Sequence, residues 1–148
     1  MPDPASPPRA RGACHCGALS FEIRGKLRDV LICHCSDCRR HNGHASAHTR
    51  CATSDLHFHR RDTLKWYDSS PSGSRGFCTA CGSIVFFQRR GVPFTAISAG
   101  CLEPPTGLRT AMHIFVPDKS DYYEICDDTA PRRAGMPDEA ELAAFRWS

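Results

Sequence analysis

Three thiols lie within six residues in the stretch Cys33-His34-Cys35-Ser36-Asp37-Cys38. Cysteines this close together on a short loop do not easily reach the geometry of a disulfide bond. The spacing suits three thiolates that converge on one zinc ion, with Zn–S distances of roughly 2.3 Å. Three protein ligands leave one coordination position open, which is typical of a catalytic zinc site. We call Cys33, Cys35 and Cys38 the three-thiol cluster.

Two further cysteine pairs flank this stretch, one in Cys14-His15-Cys16 and one in Cys78-Thr79-Ala80-Cys81. Together they supply four thiols, the number that closes a tetrahedral structural zinc site. A metal that joins two distant ligand pairs closes a long loop of the chain and stabilises the fold. We therefore expect two zinc ions per chain, the one on the three-thiol cluster being held less firmly. We call the cysteines of these two pairs the four-thiol cluster: Cys14, Cys16, Cys78 and Cys81.

A second interpretation of the three-thiol cluster stays open at this point. Another side chain could fill the fourth coordination position and make that site structural as well. A cationic Arg39-Arg40 pair follows the cluster, where it could steer a carboxylate-bearing ligand. The cysteines outside both clusters, Cys51, Cys101 and Cys126, are expected to be small buried hydrophobic residues. The candidates for a fourth ligand are Cys51, Cys101, His34, His41, His48 and His113.

Composition narrows the class of protein. The chain has 148 residues, 41% of them hydrophobic and 24% charged, which is typical of one soluble domain. A net charge of +3 makes a nucleic-acid partner unlikely, and no apolar run is long enough to span a membrane. The Pro-rich start lacks the apolar core of a secretory signal. We therefore expect a cytoplasmic protein whose ten cysteines are reduced and bind metal; the oligomeric state is left open.

The pattern of apolar residues predicts a mostly β domain of many short strands, separated by turn residues. We expect a disordered tail over residues 1–11, the zinc-binding domain over 12–135, and a C-terminal helix within 136–148 that begins at Asp138. Glu141 would complete a capping box with Asp138. Gly43 would end a single helical turn that Ser36 begins. The strands are predicted over residues 19–23, 30–32, 44–53, 55–60, 64–67, 84–87, 95–98, 111–116 and 122–125.

The ordered motifs of the chain resemble one known family, the glutathione-dependent formaldehyde-activating enzymes, whose domain is shared with centromere protein V. The resemblance implies a β-tent fold of small antiparallel sheets around a structural zinc. It also implies that the four-thiol cluster holds that structural zinc and the three-thiol cluster a catalytic one. The motifs that carry it are Cys14-His15-Cys16-Gly17, Cys33-His34-Cys35-Ser36-Asp37-Cys38-Arg39-Arg40, Gly76-Phe77-Cys78-Thr79-Ala80-Cys81-Gly82 and His113-Ile114-Phe115-Val116.

The activity that the resemblance implies is a carbon–sulfur lyase activity, which joins glutathione and formaldehyde into S-(hydroxymethyl)glutathione. Zinc lowers the pKa of a thiol that binds it, so a thiol substrate would be held as the more nucleophilic thiolate. We therefore predict a zinc enzyme whose partners are a small thiol such as glutathione and an aldehyde. The alternatives are a non-enzymatic zinc module that recognises a macromolecule, and a zinc protein that responds to oxidation of its thiols.

Overall fold

The computed structural model describes residues 5–126 and 130–148, and these contain ten strands and two α-helices. No helix in the described part of the chain is both long and apolar enough to cross a membrane. The elements are β1 (Ala10–Ala13), β2 (Ser20–Ile23), β3 (Val30–Cys33), α1 (Ser36–Asn42), β4 (Ser46–Ala52), β5 (Leu56–Arg60), β6 (Leu64–Ser70), β7 (Gly73–Cys78), β8 (Ile84–Arg89), β9 (Phe94–Ser98), β10 (Thr110–Ile114) and α2 (Glu139–Ala144).

The strands form two sheets. The smaller sheet has the order β1-β2-β5, and the larger has the order β10-β3-β4-β9-β8-β7-β6. The mostly β prediction is confirmed. One pair differs from the expected antiparallel arrangement, since β10 runs parallel to β3. Parallel neighbours need a long connection, which here is the whole chain from β4 to β9. Both strands therefore end at the same edge of the sheet, where Cys33 lies opposite Ile114.

An aromatic cluster joins the two sheets. Phe86 on β8 contacts Phe21 on β2 at 5.0 Å between ring centroids and Phe58 on β5 at 5.7 Å. Trp66 on β6 stacks on the same ring at 6.0 Å. Phe21 and Phe86 are each 1% exposed, so the contact is fully desolvated. Rings that meet in tilted or edge-on geometry add to the free energy of apolar burial.

Phe86→Ala is expected to lower the free energy of unfolding by about 3–5 kcal/mol, because it leaves a cavity between the sheets that the surrounding rings cannot fill. Denaturant titration followed by far-ultraviolet circular dichroism measures this. Lys65→Ala, which truncates an exposed side chain on β6, is the matched control and should change stability little. Equal effects of the two substitutions would contradict the role given to the aromatic cluster.

The ends of several elements differ from the predictions. The strand predicted over residues 122–125 is absent, because Tyr122 and Tyr123 bond to histidine side chains through their hydroxyl groups. Strand β1 begins at Ala10, before the predicted end of the disordered tail at residue 11; residues 1–4 lie outside the described part. The residue that caps α1 is Cys35 rather than Ser36, while Gly43 ends the helix with φ 75° as predicted.

The C-terminal segment, residues 130–148, packs back on the larger sheet. Its helix α2 has the predicted capping box of Asp138 and Glu141 but ends at Ala144 instead of Trp147. Leu142 is fully buried. Leu27 and Ser148 exchange backbone hydrogen bonds of 2.8 and 2.9 Å. These contacts hold the segment beside the start of β3 and the strand β4.

Candidate active site

The four-thiol cluster is formed by two similar turns. In the first, the Gly17 amide donates to the Cys14 carbonyl at 3.1 Å; in the second, the Gly82 amide donates to the Cys78 carbonyl at 2.8 Å. Each glycine has φ 78°, a left-handed conformation that residues with a side chain rarely adopt. The first turn joins β1 to β2 and the second joins β7 to β8. The cluster therefore links the two sheets.

The sulfur atoms of the four-thiol cluster fit a tetrahedral metal ion. All four lie within 4.8 Å of one another. Cys16 Sγ is 3.6 Å from Cys14 Sγ and 3.8 Å from Cys78 Sγ, and zinc with Zn–S bonds of about 2.3 Å separates its sulfur ligands by roughly 3.8 Å. A hydrogen bond with the Ser83 hydroxyl lowers the pKa of the Cys81 thiol to about 5. This hydroxyl favours the thiolate, the form that binds metal.

The three-thiol cluster is assembled where β3 ends and α1 begins. Cys33 is the last residue of β3, and Cys35 caps α1, its sulfur accepting a hydrogen bond from the Cys38 amide at 3.3 Å. The first turn of α1 then brings Cys38 back beside the other two thiols. The three sulfur atoms lie within 4.8 Å of one another. The structure therefore brings together the residues that the sequence grouped, and their role as ligands stays a prediction.

Negative charge is distributed unequally in the three-thiol cluster, and Cys38 holds it most readily. Hydrogen bonds from Cys33 and Cys35 lower the pKa of Cys38, and hydrogen bonds with Cys35 and Cys38 raise the pKa of Cys33. One thiolate is thus stabilised by two neighbouring thiols. Arg75 Nη2 lies 3.8 Å from Cys38 Sγ and adds a positive charge. Three soft sulfur donors that carry negative charge suit a metal such as zinc.

The candidates for a fourth ligand have other contacts. Among the described residues, no Cys, His, Asp or Glu joins the three-thiol cluster at ligand distance. His34 contacts the Tyr123 hydroxyl at 2.6 Å and His113 at 3.0 Å through its two ring nitrogens. Cys51 is fully buried in the apolar core, as expected, whereas Cys126 is exposed, contrary to expectation.

The three remaining candidates are also accounted for. His41 hydrogen-bonds the Asp37 carbonyl, Cys101 packs against the core that contains Cys14, and His48 lines the pocket beside the cluster without reaching ligand distance. None of the six candidates therefore fills the fourth position in the described part of the chain.

A pocket of about 300 Å³ opens beside the three-thiol cluster, and all three cysteines line it. Its floor is a row of side chains across four adjacent strands of the larger sheet. Arg50 pairs with Ala96, Ala96 with Phe87, and Phe87 with Arg75, so these four residues share one face. Arg28 and Arg89 also line the pocket. The four arginines outnumber the two carboxylates in the lining, those of Asp37 and Glu139, so the pocket is apolar with an excess of positive charge.

Arg75 is the guanidinium nearest to the thiols. It is 4% exposed, and its Cζ lies 5.2 Å from the centroid of the Phe87 ring. Its Nε is buried and has no hydrogen-bond partner among the described residues. A buried cationic donor group without an acceptor is costly, so its position favours an anionic ligand. The Arg39-Arg40 pair, which the sequence suggested for this role, does not line the pocket.

Sequence reasoning missed the four arginines of the pocket. They lie at positions 28, 50, 75 and 89, with no common spacing and no motif that links them. The row formed by Arg50 and Arg75 depends on the register of four strands, and a single sequence does not show which strands become neighbours.

The fold and this site define a small, mostly β protein with two cysteine clusters that can hold metal ions. Residues 9–118 match the family model described as glutathione-dependent formaldehyde-activating enzyme, and the chain belongs to this family. It is similar to a Rhodobacter sphaeroides protein of known crystal structure, with 34% identity and a TM-score of 0.51, over 64% of this chain and 88% of that chain. A comparison with curated proteins gave no match. The resemblance inferred from the motifs is thus confirmed, and it relates the chain to glutathione and formaldehyde chemistry.

Proposed function

We propose that this protein is a zinc-dependent enzyme of the carbon–sulfur lyase type, which joins a small thiol to an aldehyde. The reaction of glutathione with formaldehyde to give S-(hydroxymethyl)glutathione is the candidate that family membership favours. The observation that carries the proposal is the three-thiol cluster, which lines a pocket and has no fourth protein ligand among the described residues. Ligands on one side and a substrate-sized space on the other are typical of a catalytic zinc site.

Each group of residues has a part in this proposal. Cys33, Cys35 and Cys38 would hold the zinc ion, which supplies Lewis acidity and lowers the pKa of a thiol that binds to it. Arg75 would attract and orient an anionic substrate beside the cluster. Apolar side chains of the floor, Phe87 and Ala96, exclude water and strengthen these electrostatic contacts.

The chemistry is an addition without oxidation or reduction. The thiol sulfur forms a bond to the aldehyde carbon while the carbon–oxygen π bond breaks. The thiol gives up its proton, and the aldehyde oxygen gains one, so that atoms and charge balance. The four-thiol cluster lies apart from the pocket and would have a structural role, holding a second zinc ion between the sheets.

The cytoplasm is the compartment that this proposal implies. All ten cysteines are free thiols in the structure. Zinc ligation and thiol chemistry both require reduced cysteines, which the cytosol maintains.

The experiment that tests the proposal compares the fully zinc-loaded enzyme with buffer and with protein that retains only the zinc ion of the four-thiol cluster. Adduct formation from glutathione and formaldehyde is followed by NMR exchange at neutral pH, because the uncatalysed reaction also proceeds. We expect exchange well above the uncatalysed rate, dependent on bound zinc. If exchange in the presence of the loaded protein equals that in buffer for every thiol and aldehyde tried, the protein is not such an enzyme.

Arg75→Met is expected to lower kcat/KM for a carboxylate-bearing thiol by about 10–100-fold, because the substrate loses a charge-assisted hydrogen bond in a desolvated pocket. Mercaptoethanol, which carries no carboxylate, should be affected less. Arg75→Lys should retain part of the activity, since lysine keeps the positive charge but lacks the planar guanidinium group that binds a carboxylate at two points. Arg60→Met, on the exposed strand β5, is the matched control. Equal losses for charged and neutral thiols would contradict anion binding by Arg75.

A further inference from the structure

The buried arginines of the pocket differ in the hydrogen-bond partners that the protein itself already gives them. Arg28 donates to the backbone carbonyls of Asp29 at 3.0 Å and His48 at 3.1 Å, so its role is structural. Arg75 contacts a sulfur atom and keeps a buried Nε without a partner among the described residues. Arg50 also keeps a buried Nε without a partner among the described residues, but both of its Nη atoms bond to a carboxylate of the protein itself.

Arg50 and Glu139 form a two-point ion pair at the end of the pocket floor. Arg50 Nη2 is 2.9 Å from Glu139 Oε2, and Nη1 is 3.4 Å from Oε1. The arginine side chain is 7% exposed and its Cζ lies 4.1 Å from the centroid of the Phe94 ring, whereas the glutamate side chain is 43% exposed. The arginine is therefore fixed by packing, and the glutamate is the partner that can move.

The two members of the pair come from different parts of the chain. Arg50 lies on β4, within the region that matches the family, and Glu139 lies on α2, beyond the end of that match at residue 118. The pair also borders a second, more open cavity that Ala143 and Trp147 line. The Glu139 side chain thus has space on its outer side, away from the pocket floor.

We propose that Arg50 is a second carboxylate-binding subsite of the pocket and that Glu139 masks it. Glu139 is then a specificity-determining residue: it takes the place of a ligand carboxylate and repels another one. The inference rests on the proposed function and names its substrate class, since the unmasked Arg75 accepts one carboxylate. Glutathione, which carries a carboxylate at each end, is therefore bound through only one of them and gains no advantage from the second.

The spacing of the two arginines fits this assignment. Arg50 and Arg75 belong to one cross-strand row with Ala96 and Phe87 between them. Three strand spacings separate their Cα atoms by roughly 14 Å. An extended tripeptide with terminal carboxylates, at roughly 3.5 Å per residue, is about 10.5 Å long, which is comparable with this separation.

The test measures thiol binding to the zinc-loaded protein by isothermal titration calorimetry, independently of turnover. The probes are glutathione with two carboxylates, N-acetylcysteine with one and mercaptoethanol with none. Glu139→Gln is expected to raise the affinity for glutathione about tenfold, because it removes the negative charge that neutralises Arg50 and repels the second carboxylate. The affinities for N-acetylcysteine and mercaptoethanol should change less than about twofold, being set by contacts that the substitution leaves in place.

Three further variants control for net charge, for the role of Arg50 and for folding of the glutamine variant. Glu103→Gln makes the same change in net charge at an exposed position outside the pocket and should leave all three affinities unchanged. Adding Arg50→Met to Glu139→Gln should cancel the gain for glutathione. Glu139→Asp is the substitute if the glutamine variant folds poorly. It keeps the negative charge at the start of α2 but has a shorter side chain, so it should give a smaller gain in the same direction.

The outcomes separate this inference from the proposed function. A gain that also occurs in Glu103→Gln, or that survives removal of Arg50, overturns the masking role. Binding of all three thiols with no gain for glutathione in either Glu139 variant overturns it as well, and leaves the proposed function standing. If no form of the zinc-loaded protein binds any of the thiols, both proposals fail.

Discussion

Cys35→Ser is expected to reduce adduct formation to the uncatalysed rate and to leave the protein folded. Serine has a hydroxyl that does not ionise at neutral pH, so the three-thiol cluster would keep only two thiolate ligands. Substitution of residues that only orient the ligands of a metal site already costs about 10–100-fold in affinity or activity, and the loss of a ligand costs more. Cys35 is half-buried at the start of α1, and its replacement leaves the apolar core intact.

The accompanying measurement is the number of zinc ions per chain, by atomic emission on desalted protein. We expect a fall from two to one, while circular dichroism and the melting temperature stay close to those of the unmodified protein. Cys126→Ser, which changes an exposed thiol outside both clusters, is the control and should keep both ions and full activity. Undiminished catalysis in Cys35→Ser would show that the three-thiol cluster is not the site of the reaction.

Cys14→Ser is expected to have the largest effect on stability, because it opens the four-thiol cluster that links the two sheets. A structural zinc site contributes on the order of 10 kcal/mol to folding, which is comparable with the whole stability of a domain of this size. We therefore expect Cys14→Ser to be largely unfolded at room temperature. A strong chelator should unfold the unmodified protein in the same way.

Circular dichroism and amide chemical-shift dispersion measure this effect. Cys101→Ala is the matched control, since Cys101 packs against the same part of the core but lies outside the four-thiol cluster. It should retain the fold and both ions. A Cys14→Ser protein that keeps its native spectrum and two zinc ions would rule out a structural role for the four-thiol cluster.

Several features of the fold were predictable because they depend on residues close together in the sequence. Gly43 ends α1, and Asp138 with Glu141 begins α2, since caps are formed within one helical turn. The strand predicted at Tyr122 and Tyr123 was wrong because these residues are positioned by contacts with distant parts of the chain. Aromatic residues favour strands, but these two hydroxyl groups bond to His44 and His34, which lie far away in the sequence.

The sequence alone determined the three-thiol cluster and each cysteine pair of the four-thiol cluster, because spacings such as those of Cys33, Cys35 and Cys38 fix which sulfur atoms one turn can bring together. The tertiary structure decided that the two distant pairs meet. Only the tertiary structure decided what surrounds them. Arg50 and Arg75 become parts of one pocket through the register of four neighbouring strands, and Glu139 reaches Arg50 because the C-terminal segment packs back on the sheet. Local covalent spacing limits a turn to few conformations, whereas pairing between distant strands depends on the packing of the whole chain.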